Sequence, residues 1–172
     1  GVWVWATKAG GTLLDEGRSV SALADGSAIV MGSFQGTATF GSIDLTSLGG
    51  NDVFVAKISN TGVWVWATQA GGTSSDLGNS VSVLADGSAI VAGYFQDTAT
   101  FGSIDLTSLG GNEAFVAKIS DTGVWVWATK AGGTSFDQGN SVSVFADGSA
   151  IVTGYFQDTA TFGSIDLTSL GG

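Results

Sequence analysis

Apolar residues come in short runs along this chain, and glycine, Asp-Gly or a Thr-Gly pair closes most of them. In the first 61 residues the runs fall at 3–9 (Trp-Val-Trp-Ala-Thr-Lys-Ala), 19–24, 28–34 and 53–59 (Val-Phe-Val-Ala-Lys-Ile-Ser). Their Val, Ile, Phe and Trp content and their alternation favour β-strands. Asp25-Gly26 separates the second run from the third, which is a hairpin signature. Residues 37–40 and 43–46 flank Gly41-Ser42 and predict a small accessory hairpin. The count is four principal strands per 61 residues. Both faces of several strands are apolar. In Val2-Trp3-Val4-Trp5 the tryptophans point one way and the valines the other. A sheet with one wet face alternates apolar and polar more cleanly, so these sheets are expected to be covered on both sides. The small, mixed run Ser19-Val20-Ser21 suits a crowded innermost strand beside a central channel.

The pattern then repeats. Gly1-Val-Trp-Val-Trp-Ala-Thr recurs at Gly62 and at Gly123, both offsets being 61. Units 1–61 and 62–122 differ at 12 positions with no insertion or deletion. Unit 123–172 differs from the second at 5 of its 50 residues and lacks the counterpart of residues 51–61. Fixed periodicity of this kind marks solenoids, propellers or arrays, in which each unit hides its apolar face against a neighbour. Differences between units include 8/69/130, 13/74/135, 14/75/136, 16/77/138 and 31/92/153. Three of these sets lie in the loop after the Trp run, which fits a tolerant exposed surface or a recognition surface.

Residues 127–156, from Trp-Ala-Thr-Lys-Ala-Gly-Gly-Thr to Ile-Val-Thr-Gly-Tyr-Phe, carry a resemblance. So do Ala-Thr-Phe-Gly-Ser (99–103) and Gly-Gly-Asn-Glu-Ala-Phe-Val-Ala-Lys-Ile-Ser (110–120). Over essentially its whole length the chain resembles the bacterial SBBP-type β-propeller repeat. The resemblance implies an all-β propeller of four-stranded antiparallel blades and a secreted or cell-surface setting. It implies no defined activity and no catalytic residues. The blade order then reads inner strand 79–86, second 89–95, third 114–120 and outer 123–131, with residues 2–9 as an outer strand at the start. Closed propellers have about 4–8 blades. Three units therefore predict a six-bladed dimer, a segment of a longer array, or strands exchanged between chains, since an unpaired edge invites a neighbour.

Composition narrows the function classes. Apolar residues make up 44% of the 172 residues and charged residues 12%, a mix that buries a sizeable core. Proline is absent, so the turns rely on Gly, Asp, Asn and Ser. Net charge is −10 with only five basic residues, which argues against nucleic acid and against anionic lipid. Without cysteine or histidine there is no disulfide, no Cys/His zinc site, no Ser-His-Asp triad and no Cys-His dyad. No membrane-spanning run is visible. Near-identical units also spread equivalent acids evenly, whereas an active site needs differentiated ones. The expectation is a protein that is not an enzyme and needs no cofactor or metal.

Candidate binding residues are few. Asp15, Asp76 and Asp137 recur in a Gly-Gly-Thr-x-x-Asp-x-Gly loop. One carboxylate per loop is too few for calcium, and a turn-closing role bonded to backbone amides is the expected one. These loops are nonetheless the binding site to bet on. Asp44, Asp105 and Asp166 fall in the accessory hairpin and are expected to be solvated. The six tryptophans, Trp3, Trp5, Trp64, Trp66, Trp125 and Trp127, offer a sugar-stacking platform or packing between units, and packing is expected. Gly10-Gly11 and Gly49-Gly50 match no phosphate-loop motif. The function expected is an extracellular structural or adhesive scaffold acting by self-association and multivalency, with glycans or surface proteins as further partners. The alternative is a lectin-like propeller with one weak glycan site per unit.

Overall fold

The computed structural model describes residues 1–171, and among these it is all-β, with every strand pair antiparallel. In the first unit β1 (Asp15–Ala22), β2 (Ala28–Phe40) and β3 (Ile43–Ile58) pair in sequence, and β4 (Trp64–Gly72), from the start of the second unit, completes a four-stranded sheet. In the second unit β5 (Leu77–Val83) and β6 (Ala89–Phe95) are followed by a hairpin, β7 (Thr98–Phe101) and β8 (Ile104–Thr107). Then come β9 (Glu113–Ile119) and β10 (Trp125–Ala131), giving the spatial order β5-β6-β9-β10. The third unit holds β11 (Gln138–Val144) paired with β12 (Ala150–Tyr155), and the hairpin β13 (Thr159–Phe162) and β14 (Ile165–Thr168). The observed strand order is the one expected from the sequence, but in the first unit the second and third strands run on through the small hairpin, so that β2 extends to Phe40 and β3 starts at Ile43.

One expected strand is missing. Residues 1–9 form no strand, and only Gly10 makes a bridge, to Thr39. The equivalent residues in β4 and β10 are held by β3 and β9. Residues 2–9 have no such neighbour among the described residues, and Trp3 is 93% exposed. An outer strand is therefore made by its partner strand, whatever its own β-propensity.

Each principal hairpin closes on the residues the sequence marks. Leu23 N–H donates to Ser27 O at 2.8 Å, and Gly26 takes φ +81°, a left-handed geometry that glycine adopts without strain. The Asp25 carboxylate accepts from the Ser27 N–H at 2.9 Å and from its hydroxyl, and these bonds hold its pKa below the ordinary value. Asp86 with Ser88 and Asp147 with Ser149 repeat the arrangement.

The sheets stack face to face, and the main core lies between the first and second. Ile29, Met31, Val53 and Val55 of the first sheet meet Val81, Val91, Phe115 and Ile119 of the second, all buried. Burying each such side chain stabilises the fold by roughly 1.5–3 kcal/mol. A smaller cluster, Ile90 and Ala92 with Val142, joins the second sheet to the third. Strand β6 is buried along nearly its whole length, as expected for a sheet covered on both sides. The outermost strands differ: Val63, Val65, Val124 and Val126 are exposed, so the valine face of the Trp run meets solvent.

Close approach of the strands depends on glycine at defined points. A Cβ on Gly93 would lie 2.0 Å from the Leu77 carbonyl oxygen and 2.8 Å from the Phe115 ring. At Gly17, whose equivalents in later units are packed, nothing lies within 4 Å. Gly93→Ala is expected to lower the unfolding free energy by about 3 kcal/mol or more, read by urea denaturation. Gly17→Ala, in the same assay, is expected to change it by less than about 1 kcal/mol.

Candidate functional site

The residues singled out by the sequence converge on the junctions between units. The Trp strand that closes one sheet ends in Gly-Gly, and that end pairs with the small hairpin carried by the next sheet: Gly71 with Thr100 and Gly72 with Ala99. Single bridges from Gly10 to Thr39 and from Gly132 to Thr161 repeat the contact. A Cβ on Gly72 would sit 1.9 Å from the Thr98 carbonyl oxygen, so the contact requires glycine there.

The Asp of the Gly-Gly-Thr-x-x-Asp loop clips this crossing. Asp76 accepts the Gly72 N–H at 2.7 Å on Oδ2 and the Gln96 N–H at 3.1 Å on Oδ1. Asp137 does the same with Gly133 at 2.7 Å and Gln157 at 3.3 Å. Asp15 accepts from Gly11 at 2.6 Å, but the Gln35 N–H goes to the Leu14 carbonyl instead. All three carboxylates thus face backbone N–H groups of their own loop, the geometry of a turn-closing residue. Among the described residues no group of three or more His, Cys, Asp or Glu could hold a metal ion. Asp44, Asp105 and Asp166 are exposed, and each accepts a bond from the facing Thr39, Thr100 or Thr161 at 2.7–2.8 Å.

Four of the six tryptophans are interlocked with the same junctions, whereas Trp3 and Trp127 are exposed and do not show the expected packing. The Trp64 and Trp125 rings stand edge-on to Phe40 and Phe101, centroids 5.2 Å apart in both. Their indole N–H groups donate to Lys8 O at 3.2 Å and Gln69 O at 3.0 Å, on the preceding Trp strand. Trp5 and Trp66 lie under the turns at Gly62 and Gly123 and donate to Asn60 O and Asp121 O.

Sequence reasoning passed over two acids, Asp52 and Glu113, which occupy equivalent positions and are almost fully buried. Glu113 Oε2 accepts from the Leu109 N–H at 2.8 Å and pairs with Lys130, whose Nζ lies 3.3 Å away. Lys130 Nζ also donates to Thr107 O at 2.6 Å. Asp52 Oδ2 accepts from the Leu48 N–H at 3.1 Å, and its neighbour is the uncharged Gln69 amide at 3.4 Å, itself on Thr46 O at 2.8 Å. Asp52 Oδ1 is buried with no hydrogen-bond partner. Burial pushes the Asp52 pKa up to about 6. It also pushes Asp76 up to about 6, against the Gly72 and Gln96 N–H bonds and with added repulsion from Asp52 and Asp97. The sequence signal for this site was the change from Lys8 and Lys130 to Gln69, paired with the change from Glu113 to Asp52.

The other differences between units also have places. Leu13, Leu14 and Phe136 are exposed, but Leu77 is buried, so the variable loop is not uniformly a surface. At 31/92/153, Met31 and Ala92 are in the cores between sheets. A 450 Å³ cleft lies between the second and third sheets, lined by residues that include Val116, Val152, Tyr155, Phe156 and Phe162.

No family model matches the chain. It is similar to an uncharacterized WD repeat-containing protein of Acanthamoeba polyphaga mimivirus, 29% identical over 122 residues. That match covers 67% of this chain and 9% of the viral protein, so the chain spans about a tenth of the relative's length. The likeness is to a repeat protein of β-propeller type, in keeping with an all-β chain of stacked antiparallel sheets.

Asp137→Ala removes the acceptor for two backbone N–H groups and is expected to cost about 2 kcal/mol in chemical denaturation. Asp166→Ala, at the exposed threonine contact, is expected to cost less than about 0.5 kcal/mol in the same measurement.

Proposed function

We propose that this chain is a run of β-propeller blades of the SBBP-like type, serving as a secreted or surface-exposed structural or adhesive scaffold. It acts by presenting equivalent surfaces and by associating with further copies through its end faces. One observation carries the reading: residue types buried at the internal junctions are exposed at the ends of the stack. Val91 is 0% exposed and Phe101 1%, whereas their equivalents Val152 and Phe162 are 37% and 39% exposed. At the other end Val2, Trp3 and Val4 are all exposed. Apolar faces of this kind mark association surfaces. The internal junctions supply a template for what covers them: the face of another unit, with its tryptophan and its Gly-Gly end.

Acidity and low basic content favour solubility outside a nucleic-acid or anionic-lipid context. The secreted or surface setting rests on the family resemblance. Repetition of near-identical units supports multivalent action, in which several weak contacts add to a strong attachment.

Light scattering on a sizing column, across a dilution series, tests the association. The expected result is a species of at least twice the 17.2 kDa chain mass that dissociates on dilution. Val152→Lys, at an exposed position of β12, is expected to shift the distribution to monomer while the circular dichroism spectrum stays that of a β-protein. A chain that is monomeric at every concentration would overturn the assembly reading.

A further inference from the structure

The two complete junctions are built alike except for one charge. At the second, two buried acids, Glu113 and Asp137, share the site with the Lys130 ammonium. At the first, two buried acids, Asp52 and Asp76, stand with the neutral Gln69 amide in the lysine's place. Gln69 and Lys130 make the same contacts, one to a carbonyl in the hairpin strand (Thr46 O or Thr107 O) and one to the acid at 52 or 113. The first junction therefore lacks one positive charge that the second contains.

The geometry shows where that charge belongs. Gly71 passes between the two carboxyls, and no side chain separates them there. The point a Cβ on Gly71 would occupy is 2.7 Å from Asp52 Oδ1 and 2.9 Å from Asp76 Oδ2. Asp52 Oδ1 is buried without a partner, one of two such oxygens with Asp15 Oδ1. Asp76 Oδ2 has the Gly72 N–H as its one donor, and a carboxylate oxygen has room for a second. Two like charges this close in a dry site do not both ionise readily.

We propose that the Asp52–Asp76 pair holds a single proton, carried on Asp52 Oδ1 and donated toward Asp76 Oδ2. The proton takes the part that the Lys130 ammonium plays at the second junction, and it makes the first junction pH-sensitive.

The surroundings leave no other source of positive charge. The charged groups acting on Asp76 are acidic, Asp52 and Asp97 at the start of the hairpin, and Asp52 is raised by burial alone. Tyr94 on β6, also near Asp76, is neutral in this range and is pushed further up by burial. Arg18, on β1, is engaged with Glu16 at 2.7 Å and with Asn79 at 3.2 Å. The raised native affinity for protons fixes the sign of the pH dependence. A carboxyl whose folded pKa is about 6 against an ordinary 3.8 contributes most below 3.8, and the contribution is lost as pH rises through 6. Asp25, Asp86 and Asp147 are shifted the opposite way, so their contribution is lost only below pH 3.8 and does not overlap the window.

Thermal unfolding of the chain between pH 4.5 and 7.5, with and without calcium, tests the proposal. Wild type is expected to lose on the order of 5 °C in Tm as pH rises from 4.5 to about 6, and to level off above that. The double variant D52E/Q69K, which rebuilds the second junction at the first, is expected to be flat, as is D52N, whose amide donates at every pH. A flat wild-type profile, or a slope unchanged in both variants, would overturn the proposal. Calcium abolishing the wild-type slope at pH 7.5 would also overturn it, because a metal ion and not a proton would then neutralise the pair. Should the variants fail to fold, carboxyl ¹³C titration of the wild-type chain decides: a native aspartate titrating near pH 6 supports the shared proton, and all aspartates titrating below pH 5 reject it.

Discussion

The structure depends on a problem that every innermost strand faces. Strands β1, β5 and β11 each pair on one side only, and in β5 and β11 the outward N–H groups face the preceding sheet. Those groups cannot join a ladder, because the neighbouring sheet lies face to face with them and not edge to edge. Serine hydroxyls of the preceding unit accept them instead. Ser19 and Ser21 take the N–H groups of Val81 and Val83 at 3.1 and 3.2 Å. Ser80 and Ser82 take those of Val142 and Val144 at 3.1 and 3.3 Å. An orphaned buried N–H costs about 1–3 kcal/mol, so two per junction is a large term against a total stability of roughly 5–15 kcal/mol. The alternation Ser-Val-Ser-Val follows: the serines face the next unit and the valines face the previous one. The spacing between the sheets at this end is set by the reach of a hydroxyl.

That close spacing has to be matched at the outer end, where it is set by backbone. The Gly-Gly end of each Trp strand rests against the hairpin of the following sheet, at a distance no side chain tolerates. The Asp clip then fixes the loop that carries the next innermost strand. Serines at the inner edge and the glycine–aspartate crossing at the outer edge together determine how one sheet is rotated and displaced against the next. The tryptophans fill the wedge between the strands and return their N–H groups to the preceding strand.

This explains what was legible in the sequence. Strands, hairpin turns and the repeat could be read because each depends on neighbours in the chain: alternation, Asp-Gly and a fixed offset of 61. The role of Asp76 and Asp137 as turn-closing residues was visible for the same reason. Residues 2–9 show the limit of local reading, since a run identical to that of β10, and differing from that of β4 only at Lys8, stays outside any strand when no third strand lies beside it. The Asp52–Asp76 pair was illegible because its members come from a strand and a loop of different units and meet only across Gly71. Its trace in the sequence is a pair of linked differences, Gln69 with Asp52 and Lys130 with Glu113. A second linked pair has the same cause. Ser74 and Ser135 donate to Asp97 and Asp158, whereas Leu13 in the first unit lies beside Gly36.

Near-identical units carry a hazard, because serines, glycines and tryptophans that are the same in every copy do not say which unit belongs beside which. The differences do. Met31 fills the space over Gly78 at the first junction, where a Cβ would come within 3 Å of its side chain. At the second junction the smaller Ala92 stands 3.4 Å from the corresponding point on Gly139. Asn79 links all three innermost strands, accepting from Arg18 and donating to Gly139 O at 2.9 Å. Leu77 is buried where Glu16 and Gln138 are not. Volume, polarity and charge thus change together at the surfaces where units meet. A shared backbone geometry lets the units stack, and these few side chains give each junction its own character.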